Sequence, residues 1–147
     1  MDTDMTEAEA SAALKDGVTI LAEVLAPYGF TLSSPTSGTG SGGSYASCQF
    51  SRGNRSLRLH FRYSLGLVEY EIGGEALPHE AYMWSVTGRR GATSYPGFSV
   101  DPLDGFRHLA SDLKRYAQDF LSGSDQDFIA HTNRAAALRS HAPRLPE

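Results

Sequence analysis

The chain has 147 residues, of which 40% are hydrophobic and 20% charged, and 17 acidic residues outnumber 13 basic ones to give a net charge of -4. This size and composition predict one globular domain with a substantial core, and the acidic balance disfavours a general nucleic-acid binder, which carries a basic excess or stripe. Because no apolar run approaches the roughly 20 residues that span a bilayer, and the acidic start MDTDMTEAEA lacks the order of a signal peptide, we expect a cytoplasmic protein without membrane or nucleic-acid partners.

An amphipathic helix is predicted over residues 7 to 26. The sequence Thr6-Glu7-Ala8-Glu9 has the form of a capping box, with Thr6 as N-cap and Glu9 at N3. Apolar residues then recur at helical spacing: Ala10, Leu14, Val18, Leu21 and Leu25. A proline and a glycine end the helix, and Gly17 weakens it by about 1 kcal/mol relative to alanine. We expect its apolar stripe to cover a sheet.

A β-hairpin is predicted over residues 57 to 72, LRLHFRYSLGLVEYEI. Apolar and polar residues alternate on both sides of a turn at Ser64-Leu65-Gly66, a pattern typical of a half-buried antiparallel sheet. Gly73-Gly74 then stops the second strand. The apolar face is Leu57, Leu59, Phe61 and Tyr63, continued by Val68, Tyr70 and Ile72.

Two shorter strands precede this hairpin, at residues 30 to 33 and 45 to 52. The second is joined to the hairpin by Gly53-Asn54, where both residue types tolerate the positive φ of a two-residue turn. Between the two strands, residues 33 to 44 (SSPTSGTGSGGS) are rich in glycine and serine and predict a mobile loop.

Three helices are predicted after the strands: a short one over residues 78 to 86, a long one over 102 to 121, and a last one over about 125 to 138. Residues 141 to 147 are expected to be a disordered tail. The predicted fold is therefore a single α+β domain over residues 1 to 140: an antiparallel meander of about four strands, with the N-terminal helix and the C-terminal helices packed on one face.

The strongest polar constellation is Arg58, His60 and Arg62, which share one face of a predicted strand. Glu69 and Glu71 come opposite them in the hairpin. One interpretation is cross-strand ion pairing on a solvated face, worth about 0.2–1 kcal/mol per pair. The other is a surface that binds an anion or a partner, with His60 titrating near neutral pH.

Aromatic residues after the meander form a second candidate. Tyr82, Trp84, Tyr95 and Phe98 lie in or near the short helix and a following turn, Tyr95-Pro96-Gly97-Phe98. Trp84 is either a core residue or an exposed anchor for a partner, a role that tryptophan often takes at interfaces. These four residues, with Arg58, His60 and Arg62, are the predicted ligand- or partner-binding residues.

Known nucleotide and metal motifs are incomplete. The glycines of residues 38 to 43 satisfy G-x-G-x-x-G, but a strand rather than a helix follows them, so no helix N-terminus meets a pyrophosphate. Asp104, His108 and Asp112 share a helical face where a metal is conceivable, although this spacing is common on solvent faces. The pair His79-Glu80 is not followed by the second histidine of HExxH. We expect no cofactor and no metal.

Nucleophilic catalysis has no local motif either. There is no G-x-S-x-G, and Cys48, the only cysteine, lies on the inward side of its strand, where a cysteine is an inert small hydrophobe. No catalytic residue is therefore predicted. One cysteine also permits neither an internal disulfide nor a multi-cysteine metal site, which fits a reducing compartment.

These observations favour a non-catalytic protein-interaction module that binds a protein partner as a chaperone, adaptor or immunity protein does. The order of helix, antiparallel meander and helices is similar to that of type III secretion chaperones and of many small bacterial immunity proteins, at the level of the fold. A small-molecule or anion-binding domain, with the 33–44 loop as a lid, is an alternative. An enzyme with an unrecognised site is a third, and a homodimer is compatible with each.

Overall fold

A computed structural model describes residues 6–33, 35–40, 43–62, 64–89 and 101–141. Its helices are α1 (Glu7–Leu25), a short 3-10 helix (Ala26–Tyr28), α2 (His79–Thr87), α3 (Asp104–Tyr116), α4 (Gln118–Leu121) and α5 (Asp125–His141). Its strands are β1 (Thr31–Leu32), β2 (Thr36–Gly40), β3 (Gly43–Arg52), β4 (Arg55–Arg62), β5 (Ser64–Ile72) and β6 (Glu75–Pro78). The α+β class is confirmed. None of the helices in these ranges has the length and apolarity to cross a membrane.

The described strands form one antiparallel sheet of six strands rather than about four. The order is β1-β3-β4-β5-β6, and β2 pairs with the same edge of β3 as β1 does. Two strands are additional to the prediction, β2 and β6.

Strand β2 lies within the segment predicted as a mobile loop, so that prediction is wrong for residues 36 to 40. Its small residues allow close pairing with β3. Gly38 pairs with Tyr45, and an ideal Cβ on Gly38 would come within 2.8 Å of the tyrosine hydroxyl, so only glycine leaves room for this ring. Residues 36 to 40 of the segment considered as a lid are therefore paired with β3 and do not form a free loop.

Strand β6 exists because Gly73-Gly74 turns the chain back instead of only ending β5. Both glycines have positive φ, 55° and 89°, as a tight two-residue hairpin turn requires. The sequence after them, Glu75–Pro78, carries a single inward side chain, Leu77, which is too short a pattern to predict a strand.

The β4–β5 hairpin is confirmed, but its turn is not at Ser64-Leu65-Gly66. Those residues belong to β5. Phe61 pairs with Leu65 and His60 pairs with Leu67, so Gly66 is an extra residue that makes a bulge in β5.

The core lies between the sheet and the helices. The inward residues Leu57, Leu59 and Phe61 are at most 1% exposed, which confirms the predicted apolar face of β4. Phe61 packs on Phe106 of α3, with 6.0 Å between ring centroids. The predicted helix residues Leu14, Leu21 and Leu113 belong to the same buried cluster.

The predicted capping box at Thr6 is present, and a second one begins α5. Thr6 Oγ1 accepts from the Glu9 N–H at 3.1 Å, and the Glu9 carboxylate accepts from the Thr6 N–H. At the start of α5, Ser124 and Asp127 make the equivalent pair of bonds, at 3.1 and 3.3 Å.

The predicted helix over residues 102 to 121 is instead two helices, because α3 ends at Tyr116, with Ala117 as its C-cap, and α4 follows. The backbone of Ala117 departs from the helical region, with ψ at 26°. Helix α3 also starts later than predicted. Asp101 accepts from the Leu103 N–H in a turn, and α3 begins at Asp104.

Two arginines that flank the β3–β4 turn hold the end of α4. Arg55 is 6% exposed and donates to the carbonyl groups of Phe120, at 2.7 Å, and Gly123. Arg52 donates to the Leu121 carbonyl at 2.8 Å. The last carbonyls of a helix have no intrahelical donors, so these guanidinium groups anchor the sheet to the helical layer.

Candidate functional site

The outward side chains of the three central strands make the surface that we call the open sheet face. It lies opposite the face that packs against the helices. Cross-strand register places Thr36, Ser47, His60 and Leu67 in one row, and Gln49, Arg58 and Glu69 in the next. The members of the face are Tyr45, Ser47, Gln49, Ser51, Ser56, Arg58, His60, Arg62, Leu67, Glu69 and Glu71.

Arg58 is neutralised within this face. Its guanidinium lies 3.7 Å from the Glu69 carboxylate and 2.5 Å from that of Glu71. The three side chains are 28–43% exposed, so each pair is worth at most about 1 kcal/mol. The ion-pairing interpretation is therefore confirmed for Arg58.

His60 and Arg62 have different surroundings from Arg58. His60 Nδ1 lies 2.7 Å from Ser47 Oγ, and its ring stacks on Tyr45 with centroids 5.3 Å apart. The Arg62 guanidinium carbon lies 5.7 Å from the centroid of the same tyrosine ring. The open sheet face thus brings all three predicted basic residues together, and it adds Tyr45, which the sequence analysis did not select.

A groove of about 290 Å³ crosses this face. Its lining includes Leu67, which is 49% exposed. The other residues that line it are Ser33, Thr36, Ser47, Cys48, Gln49, Arg58, Leu59 and His60.

The Ser47–His60 pair has the spacing of a nucleophile and its base. A catalytic serine also needs a third group that orients the base and donors for an oxyanion. Within the described ranges, His60 has no carboxylate partner. In the described ranges the pair is a polar contact between neighbouring strands without such a third group.

Cys48 lies on the inward side of β3, as predicted, and is 8% exposed. Burial raises the pKa of its thiol to about 11. The thiolate is the nucleophilic form of cysteine, so Cys48 is inert at neutral pH.

The two aromatic candidates that the structure describes, Tyr82 and Trp84, lie in α2 and not on the open sheet face. Tyr82 is fully buried, and its hydroxyl accepts from the Phe120 N–H at 3.1 Å. Burial also raises the pKa of this phenol. Trp84 is half-buried in α2, while Tyr95 and Phe98 lie outside the described residues. Tyr82 is thus a core residue rather than a surface for a ligand.

A buried polar chain joins the sheet to two helices. The Tyr70 hydroxyl lies 2.6 Å from His79 Nδ1, and His79 Nε2 lies 2.9 Å from the Asp112 carboxylate. Because a carboxylate only accepts, the His79 Nε2–H donates to it, and the Tyr70 hydroxyl is the partner of Nδ1. All three side chains are at most 3% exposed.

The hydrogen bond between His79 and Asp112 bears on the helical face where a metal was conceivable, that of Asp104, His108 and Asp112. Asp112 points into the core, whereas Asp104 pairs with Arg107 on the surface, so these two carboxylates do not converge. In the described part of the chain, no group of three or more acidic, histidine or cysteine side chains could hold a metal ion.

A second polar chain connects α2, α4 and α5. Ser85 Oγ lies 2.9 Å from His131 Nδ1, and His131 Nε2 lies 2.7 Å from the Asp119 carboxylate. The residue types match a catalytic triad, but Ser85 is 1% exposed and also bonds to the Tyr82 carbonyl. A substrate cannot reach it, so the chain ties three helices together.

Neither of these polar chains was predicted, because their side chains lie far apart in the sequence. His79 and Asp112 are separated by 33 positions, and Ser85 and His131 by 46. The one local signal was Asp112, a charged residue between Leu109 and Leu113 on an apolar stripe.

No protein-family model, curated protein or solved structure matches this chain.

Proposed function

We propose that the protein is a non-catalytic binding module that takes a segment of a protein partner on its open sheet face. The observation that carries this proposal is the groove beside Leu67. Single exposed hydrophobic residues are normal on protein surfaces. Leu67, however, shares a row with His60 at a groove that the polar residues Thr36, Ser47 and Gln49 also line, which is the combination that a partner side chain can use.

The charges of the open sheet face suggest the chemistry of this partner. At one end, Arg58 is already paired with Glu69 and Glu71. At the other end, Arg62 has no ion-pair partner in the described ranges. A segment that presents an apolar side chain to Leu67 and an acidic one toward Arg62 would complement the face.

The open shape of the groove supports a protein segment over an enclosed metabolite. Its volume of about 290 Å³ is close to the lower limit of about 300 Å³ for small-molecule pockets, but it runs across one face of a sheet instead of enclosing a ligand. We therefore prefer the interaction module to the small-molecule alternative.

The test is site-specific photo-crosslinking in the cells that make the protein. A photoreactive amino acid in place of Leu67 should capture one protein, and the same amino acid in place of Lys15, which is exposed on α1, should not. The captured protein is then purified, and its affinity is measured by calorimetry for the wild type, Leu67→Asp and the control Lys15→Asp.

We expect Leu67→Asp to weaken binding at least about tenfold, since it places a charge at an apolar contact, and Lys15→Asp to change the affinity less than about twofold. Equal capture at both positions, or wild-type affinity of Leu67→Asp, would contradict the proposal. Capture of the chain by itself would identify a second copy as the occupant instead.

The enzymatic alternative makes a separate prediction. If the Ser47–His60 pair were catalytic, Ser47→Ala would abolish the hydrolysis of an activated ester such as p-nitrophenyl acetate. We expect the wild type and Ser47→Ala to hydrolyse it at the same rate. A large loss in the variant would favour the enzyme.

A further inference from the structure

One end of the open sheet face carries a cluster of Tyr45, His60 and Arg62. The tyrosine ring is the platform of this cluster: His60 stacks on it at 5.3 Å, and the Arg62 guanidinium lies 5.7 Å from its centroid. The glycine at position 38 lets the ring lie against β2, because any larger residue would overlap it. The position of the cluster is therefore built into the strand pairing.

Arg62 is the basic residue of this face whose charge is not compensated. Arg58, two residues earlier on the same strand, is paired with two glutamates, but Arg62 makes no ion pair with any described residue. Its Nε–H is buried without a hydrogen-bond acceptor. A ligand outside the protein does not reach this buried atom, so the Nη groups, which are not buried, are the donors of Arg62 that face a ligand.

His60 provides a second donor beside Arg62. Ser47 holds the ring through Nδ1 at 2.7 Å, which leaves Nε2 without a partner in the described ranges. When the Ser47 hydroxyl donates to Nδ1, the proton of the neutral ring is on Nε2, and this edge donates outward. A guanidinium and an imidazole N–H on one aromatic platform are donors suited to an anion.

We propose that the Tyr45–His60–Arg62 cluster binds a carboxylate of the protein partner, either an acidic side chain or a chain terminus. This inference rests on the proposed function, since it names the group that the open sheet face would recognise. A guanidinium matches the two oxygens of a carboxylate through parallel bonds. Phosphate shares the anionic chemistry, but protein sites for phosphorylated segments use clusters of arginines, and this cluster holds one.

The experiment is a titration of the full chain followed by ¹H–¹⁵N NMR at an ionic strength of about 0.15 M, which screens non-specific attraction. The probe is the capped peptide acetyl-Leu-Glu-Leu-amide, and its neutral match is acetyl-Leu-Gln-Leu-amide. The Arg62 Nε–H cross-peak is the direct readout. Inorganic phosphate is the third arm, and a peptide with a free carboxyl terminus is the fourth.

We expect the glutamate peptide, or the peptide with the free terminus, to shift the Arg62 cross-peak to saturation, and the glutamine peptide to leave it in place. For binding measured through backbone amides of β4, Arg62→Lys should weaken the affinity about tenfold, because lysine keeps the charge but lacks the two parallel N–H donors of a guanidinium. The matched control, Arg115→Lys, should leave it within about twofold, because Arg115 is exposed on α3 and is not part of the open sheet face.

Equal shifts with the glutamate and glutamine peptides would overturn the inference, as would equal losses in the two arginine variants or no saturable shift at all. Tighter binding of phosphate than of either carboxylate would assign the cluster to phosphate instead. These outcomes are distinct from a failure of the proposed function. A partner captured at Leu67 that binds Arg62→Lys as well as the wild type would retain the docking face and remove only the carboxylate site.

Discussion

Replacement of Gly17 by alanine should destabilise the protein, although helix propensity predicts the opposite. In the interior of a helix, alanine is favoured over glycine by about 1 kcal/mol. In this structure Gly17 is a buried residue of α1, and the ring of Phe106 lies directly over it. An ideal Cβ at position 17 would lie closer than 3.0 Å to three atoms of that ring, a separation that real Cβ atoms do not show.

The ring has little freedom to move away from an added methyl group. Phe106 is 0% exposed and packs on Phe61, so its displacement would disturb the sheet side of the core. Overpacking of a tight core costs about 1–3 kcal/mol. With three ring atoms in overlap we take the upper end, about 3 kcal/mol. Subtracting the gain in propensity leaves a net loss of about 2 kcal/mol, or a fall in Tm of about 4–8 °C for a chain of this length.

The measurement is urea denaturation followed by far-UV circular dichroism, arranged as a double-mutant cycle with Phe106→Leu. Once the ring is replaced, alanine at position 17 should no longer be destabilising, so the two substitutions should couple by at least about 2 kcal/mol. A single Gly17→Ala variant that is more stable than the wild type, or a coupling below about 0.5 kcal/mol, would refute the close contact on which this reasoning depends.

Three further predictions concern the core, the faces of β4 and the thiol. Asp112→Ala should lower the free energy of unfolding by about 3–5 kcal/mol, because it breaks a buried pair with a histidine. Asp104→Ala, on the surface of the same helix, should lower it by less than about 1 kcal/mol. Equal losses in urea melts would contradict the buried pair. Phe61→Ala should lower the free energy of unfolding by about 3–5 kcal/mol, and Arg62→Ala should lower it by less than about 1 kcal/mol. Similar losses in the two variants would mean that the two faces of β4 are reversed. Cys48, with its pKa raised to about 11, should react slowly with iodoacetamide at about pH 8.5 in the folded protein and rapidly in denaturant; equal rates would show that the thiol is not buried.

Elements with local signals could be predicted from the sequence. The capping box at Thr6 spans four residues, and the alternation of β4 and β5 needs only the neighbouring positions. These signals also located Arg58, His60 and Arg62 on one face. The predicted ion pairs depended on the register of one hairpin, which a short turn constrains.

Elements that depend on tertiary contacts could not be predicted. Strand β2 is stable because β3 and the ring of Tyr45 are beside it, and its glycine-rich composition alone is typical of a loop. The expected effect of Gly17→Ala on stability changes from a gain to a loss for the same reason. Helix propensity describes an isolated helix, whereas the ring of Phe106 belongs to α3. The buried pair of His79 and Asp112 requires α2 and α3 to be placed first.

The two layers of the molecule differ in how their polar groups are satisfied, and this difference separates stability from function. In the helical layer, His79 and His131 each have a carboxylate and a hydroxyl partner. A variant there breaks an internal contact, so any loss of binding follows a loss of folding. On the open sheet face, Arg62 has its guanidinium beside an aromatic ring and no acid partner in the described ranges. A variant there removes no ion pair of the folded protein, so a loss of partner binding with an unchanged urea midpoint is the result specific to the proposed site.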